Sequence, residues 1–144
     1  MSKNKIDGTE KAFDAVGGAA CTVTAVPDGE GRLRYLAETG VDKEHFIDLD
    51  TEEQDKALAW LRLNCVPGER PCGCSSYGMK HTLERRTGLY VTNNQFKEAM
   101  MRLGLFPVEV NELNWDFCLD GRSPIFKRQK DGEKGLPLPS DLVG

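Results

Sequence analysis

The sequence predicts an α+β fold, three short helices followed by a β-hairpin, and three observations carry the prediction. Two capping boxes, Thr51-Glu-Glu-Gln54 and Thr92-Asn-Asn-Gln95, each pair a hydroxyl that accepts from first-turn N–H groups with an amide side chain that reaches back. Between them Ser75 or Ser76 caps a helix that Gly88 ends as a glycine just past the last turn. After them Trp115, Phe117 and Leu119 alternate with Asp116 and Cys118 ahead of the turn signal Asp120-Gly121, the pattern of a half-buried strand.

In chain order, the first ten residues are polar and read as loose. EKAFDAV reads as a short helix, TVTAV as a strand, PDGEGR as a turn, and LRYLAETG as a helix closed by Gly40. Thr51 opens a helix over 51–64, with Ala57, Leu58 and Leu61 at helical spacing and Trp60 widening the stripe, and the helix stops before Pro67-Gly68. In the middle helix Tyr77, Met79, Leu83 and the Lys80 stem form a rough apolar stripe. Gly78 inside it costs about 1 kcal/mol against alanine, which a close approach by Trp115 or Tyr90 would justify. The third helix carries Phe96, Ala99, Met100 and Leu103 at i, i+3, i+4 and i+7 and ends at Gly104. Its opposite ridge then shows Asn94, Lys97, Glu98 and Met101, with Asn93 and Arg102 beside it. SPIF adds a short segment, and the tail beyond it reads as mobile.

Helix, loop, helix, short link, helix and hairpin is the order of a winged helix-turn-helix unit. The expected organisation is an acidic N-terminal extension of mixed helix and strand (1–50), a winged-helix-like core (51–126) and a mobile tail (127–144). On that fold the third helix meets a nucleic-acid groove. Asn93, Asn94 and Lys97 suit groove contacts, Arg85 and Arg86 at the end of the preceding helix reach phosphates, and Lys80 and Arg102 complete the expected nucleic-acid or partner-binding set.

Charge divides the chain. Residues 1–60 carry seven Lys/Arg against thirteen Asp/Glu, whereas residues 75–102 carry five basic and two acidic residues. The overall charge of −4 excludes a polyanion binder of the whole-chain kind. Asp48, Asp50, Glu52 and Glu53 suit a helix start without any acid–base chemistry, and they form an acidic surface for a basic partner. No stretch matches a membrane span or a signal peptide, so a cytoplasmic protein is expected. The five cysteines then stay reduced. Cys65, Cys72, Cys74 and His81 set four soft ligands in seventeen residues. The spacing lacks the C-x2–4-C knuckle of a zinc site, so the reading is a capped loop with incidental thiols, zinc being the lesser alternative. Cys74 and His81 lie two turns apart, too far for a local nucleophile–base pair. His81 reads as a helix-face histidine bonded to a backbone carbonyl. No phosphate loop, dinucleotide fingerprint or H-E-x-x-H is present, so no cofactor, small-molecule substrate or catalytic residue is expected.

Residues 58–119 resemble a family of short uncharacterised proteins carried by phages and mobile elements of Gram-positive bacteria. The block is carried here by Ser76, Tyr77, Gly78, Met79, Lys80 and His81, then Tyr90, Val91, Thr92, Asn93, Phe96, Lys97, Ala99, Met100 and Gly104, then Asn111 to Trp115. The stretch from Phe96 to Gly104 with its following strand is also similar, more weakly, to the winged-helix end of phage-type primases. The resemblance implies a protein of a phage or mobile element and no particular activity. Joined to the helix order and the absent catalytic motifs, it makes the expectation a non-enzymatic binding protein with nucleic acid as the leading partner. The alternative is a protein-binding inhibitor of a host nucleic-acid machine, such as an anti-CRISPR protein, that offers its acidic surface to the target.

Overall fold

The computed structural model describes residues 19–127. The expectations of a loose N-terminus, of a helix at EKAFDAV and of a mobile tail past residue 127 fall outside them. Strands β1 (Cys21–Pro27) and β2 (Leu33–Thr39) form an antiparallel hairpin. A 3-10 turn at Phe46–Asp48 leads into α1 (Thr51–Asn64), then β3 (Pro67–Pro71), α2 (Ser76–Thr87), α3 (Asn93–Arg102) and β4 (Cys118–Leu119). β3 pairs with β4 in a second, irregular antiparallel sheet, and a single bridge joins Pro107 to Phe117. The α+β class and all three helices agree with the sequence.

LRYLAETG is a strand, not a helix. Tyr35 and Ala37 alternate inward once Asp28 has turned the chain, its carboxylate accepting from the N–H groups of Glu30 and Arg32 at 2.8 and 3.2 Å. Gly29 and Gly31 supply the positive φ angles of +88° and +86° that this turn requires. The hairpin expected after α3 is reduced to the Pro107–Phe117 bridge, because the following strand pairs with β3 instead.

Caps explain the helix limits. At α1 the box sits one residue earlier than expected: Asp50 is the N-cap and its N–H donates to Glu53 Oε1 at 3.1 Å, while Gln54 donates to the Leu49 carbonyl at 2.8 Å. Ser75 accepts from Gly78 N–H at 3.1 Å, and Gly88 closes α2 in the left-handed region. Thr92 and Gln95 form the reciprocal box at α3, at 3.1 and 2.9 Å.

α3 is the centre of the molecule. Phe96, Ala99 and Met100 are buried where α3 meets α1 and α2, as its periodicity predicts. Its other side is covered by β2 and the 3-10 turn. Cys21, Val23, Ala37 and Phe46 therefore join the same core as Trp60, Leu61, Met79, Leu83, Trp115 and Phe117. The segment expected as an extension thus supplies one wall of the core.

Two glycines behave oppositely. A Cβ at Gly68 would stand 2.5 Å from the Asp120 nitrogen and 2.6 Å from the Leu119 carbonyl carbon, so β3 and the chain after β4 meet backbone to backbone there. A Cβ at Gly78 meets only Ser75 Oγ at 3.7 Å, so no close approach by Trp115 or Tyr90 explains that glycine. Gly68→Ala is expected to destabilise by about 2 kcal/mol through overpacking, and Gly78→Ala to stabilise by about 0.5–1 kcal/mol. Urea unfolding of the two variants reads both signs.

Candidate binding site

Three separated stretches meet at the junction of α2 and α3. Ser76, fully buried, is the knot: its N–H donates to the Trp115 carbonyl at 2.7 Å and its hydroxyl accepts from Trp115 N–H at 2.9 Å. The same hydroxyl donates to Asn93 Oδ1 at 2.8 Å, and the Asn93 amide donates to Asn114 Oδ1 and the Leu113 carbonyl at 2.9 and 3.2 Å. Residues 76–81, 90–93 and 113–115, expected as one block from the sequence, form one wall.

That wall encloses a cleft of about 410 Å³. Lys80 lies in its floor, 94% covered, with Nζ 3.1 Å from Glu84 Oε2 and 5.5 and 5.6 Å from the ring centres of Tyr77 and Tyr90. The cation is thus sandwiched between two aromatic faces and paired with a carboxylate. Glu84 Oε2 also accepts from Val91 N–H at 3.1 Å, which ties the α2–α3 link to α2. His81 Nδ1 lies 3.2 Å from Glu84 Oε1 and its ring meets Tyr77 edge to face at 4.4 Å. His81 lies beside the Glu84 carboxylate, and among the described residues it makes no hydrogen bond to the backbone carbonyl expected. Around the mouth Val41, Tyr77, Tyr90 and Leu113 are exposed by 70, 52, 72 and 37%. The cleft offers apolar area, aromatic faces and amides over a floor whose charges are already paired.

The other predicted residues separate. Asn94, Lys97 and Glu98 are fully buried or nearly so, and Met101 and Asn93 are buried with them. The expected recognition ridge is therefore not a surface, because the β1–β2 hairpin lies over it. Asn94 is held by Asp42, through its N–H to Oδ2 at 3.3 Å and its amide to the carbonyl at 3.2 Å. Lys97 Nζ sits 4.7 Å above the Trp115 ring. Arg86 donates to the carbonyls of Pro124 and Lys127, so it fastens the chain after β4 and is not free for phosphate. Arg85 stays exposed beside Thr82. Arg102 crosses the Phe46 ring at 4.8 Å. Of the acidic group, Asp48 accepts from His45 N–H and Glu53 from Asp50 N–H, so Asp48, Asp50 and Glu53 serve as caps while Glu52 is exposed at the surface.

The cysteines do not converge with His81, which faces the Lys80 cleft while Cys72 and Cys74 line a different one across α2. Among the described residues no cluster of three His, Cys, Asp or Glu side chains is placed to hold a metal. Burial pushes the Cys65 thiol up to about 12, and burial raises Cys21 and Cys72 as well. A raised thiol contributes stability below its ordinary value of 9.0 that is lost as pH climbs toward 12, so alkaline unfolding is expected across that window. At neutral pH exposed Cys74 should alkylate first and Cys65 on the order of a thousandfold more slowly, as peptide mass spectrometry would read.

The sequence points to Lys80 and Asn93 among the binding residues and places Leu113 and Asn114 in the family block, but it does not single out Val41, Asp42 or Glu84. These come from the loop after β2 and from the flank of α2, with no local signal that joins them to the cleft. Among the described residues no helix is long and apolar enough to cross a membrane. No protein-family model, curated protein or solved structure matches the chain, so what the cleft binds is argued from its own residues.

Proposed function

We propose that this chain is a non-enzymatic binding protein that takes a protein partner on the Lys80 cleft. The convergence of Val41, Tyr77, Tyr90 and Leu113, four exposed apolar or aromatic residues from separate segments, on one rim carries the reading. Tyrosine-rich apolar rims around a pocket are the composition of interface hot spots. Lys80 is bonded to Glu84 and His81 lies against the same carboxylate, which favours recognition over turnover. An inhibitor of a host nucleic-acid machine belongs to this class, with the cleft rather than the acidic α1 start as its contact.

A second reading keeps nucleic acid as the partner. The order α1, β3, α2, α3, the Pro107–Phe117 bridge and β4 is the order of a winged helix. With α3 covered, contact would move to α2, where Tyr77 and His81 offer stacking faces and Arg85 a charge.

A photo-crosslinking residue at position 90, in the cells that express the chain, separates the two. A protein adduct that disappears with Tyr77→Ala, and is absent when the crosslinker replaces exposed Leu63, supports the first reading. A nucleic-acid adduct overturns it. Once the partner is in hand, Tyr90→Ala is expected to cost about 2 kcal/mol of binding, near thirtyfold. It should change stability by less than about 0.5 kcal/mol.

A further inference from the structure

A second cleft, of about 380 Å³, opens at the other end of α3, where β2 passes the last helical turn. Arg32, Arg34, Tyr35, Met101 and Arg102 line it, and Asp28 and Glu98 are also in its walls. Arg34 and Arg102 come from different elements yet share this space. Burial and then the Arg34 charge hold Arg102 below its ordinary value. Arg34 Nε is buried without a hydrogen-bond partner, and among the described residues neither guanidinium makes an ion pair.

The carboxylates nearby are already committed. Glu98 accepts from Ala37 N–H, Phe46 N–H and His45 Nδ1 at 2.8, 2.7 and 2.6 Å. Asp28 accepts from the turn and lies 3.3 Å from Arg32 Nε, and Arg32 also reaches Glu30 at 2.9 Å. Arg32 is spoken for, whereas Arg34 and Arg102 are two like charges with unused donors, and the Phe46 ring under Arg102 fixes one guanidinium plane. Guanidinium forks match oxyanions that present several oxygens at once.

We propose that Arg34 and Arg102 together bind a single phosphoryl group, free or carried by a small phosphate ester. A phosphoryl group offers oxygens to both forks and relieves their mutual repulsion. The two committed carboxylates limit the cleft to one such group and disfavour a polyphosphate. This site is separate from the Lys80 cleft, which lies at the opposite end of α3, and it does not depend on the partner proposed there.

Titration calorimetry of the full chain tests it, with sodium phosphate, a nucleoside 5′-monophosphate, and sodium chloride at matched ionic strength. Saturable phosphate binding that weakens at least tenfold in Arg34→Gln and in Arg102→Gln is the expected result. Arg102→Lys, which keeps charge but loses the fork, should weaken it several-fold and covers the case in which Arg102→Gln does not fold. Tighter binding of the monophosphate than of phosphate assigns the site to an ester, and equal binding assigns it to the free ion. Heat indistinguishable between phosphate and chloride, or unchanged phosphate affinity in both glutamine variants, overturns the proposal.

Discussion

Glu98→Ala is expected to destabilise the protein by about 3–5 kcal/mol, a large share of the 5–15 kcal/mol that a domain of this size has. The carboxylate is 2% exposed and accepts three hydrogen bonds, two of them from the backbone N–H groups of Ala37 and Phe46. Removing it strands both donors where water does not reach, at about 1–3 kcal/mol each, and leaves a cavity between the hairpin and α3. Against this stands the cost of burying a charge, which pushes the Glu98 carboxyl above its ordinary value of 4.5. The orphaned donors win, since they persist whatever the charge state. Glu98→Gln keeps one acceptor and should cost much less. A raised carboxyl contributes stability that is complete below its unfolded value and lost as pH rises through the folded one. The gap between wild type and Glu98→Gln is therefore expected to widen as pH falls toward 4.5, measured by urea midpoints at a series of pH values.

One residue earlier the opposite sign is expected. Lys97→Met should stabilise by about 1–2 kcal/mol, because its ammonium is fully buried and has no hydrogen-bond partner among the oxygen and nitrogen atoms around it. The Trp115 face, at 4.7 Å, returns up to about 2 kcal/mol, and the Cys21 thiol and the Asp42 charge help. These do not repay the desolvation that lowers the amine from its ordinary value of 10.5. Methionine keeps the length of the chain and its contact with the indole. A depressed amine contributes stability that is present above its unfolded value and lost as pH falls through the folded one. The advantage of Met is thus largest at neutral pH and shrinks as Lys97 gives up its proton in alkali. Parallel unfolding of the two proteins at neutral pH and at pH 10 tests both size and trend; equal stability at both would sink it.

These two residues show where the sequence was legible and where it was not. Capping chemistry is local, so α2 and α3 begin and end where Ser75, Gly88, Thr92 and Gln95 predict. The inner stripe of α3, Phe96 to Met100, is equally plain. Its outer ridge was not: Asn94, Lys97 and Glu98 look like solvent or groove residues in any local reading, since lysine and glutamate are almost never fully buried unless paired. What buries them is a hairpin some sixty residues upstream, and half of that hairpin was misread, because LRYLAETG has too few β-branched residues to declare a strand. In the Lys80 cleft, Lys80 and His81 sit on a helix whose phase is readable. Leu113 and Asn114 reach the same place through Ser76 and Asn93, and Val41 does so beside Asp42, which holds Asn94; these hydrogen bonds span separations no spacing rule covers.

The bond between Ala37 and Glu98 joins residues 61 apart in the chain, and that distance has a consequence for synthesis. At about 5–20 residues per second, the β1–β2 hairpin leaves the ribosome several seconds before the helix that satisfies its inner N–H exists. A two-stranded hairpin is marginal by itself in water, so through that interval Cys21, Val23 and Ala37 have no core to enter. The N-terminal wall of the core is made first and folds last, and a nascent chain halted before Glu98 emerges presents an unpaired apolar strand surface of the kind that chaperones hold.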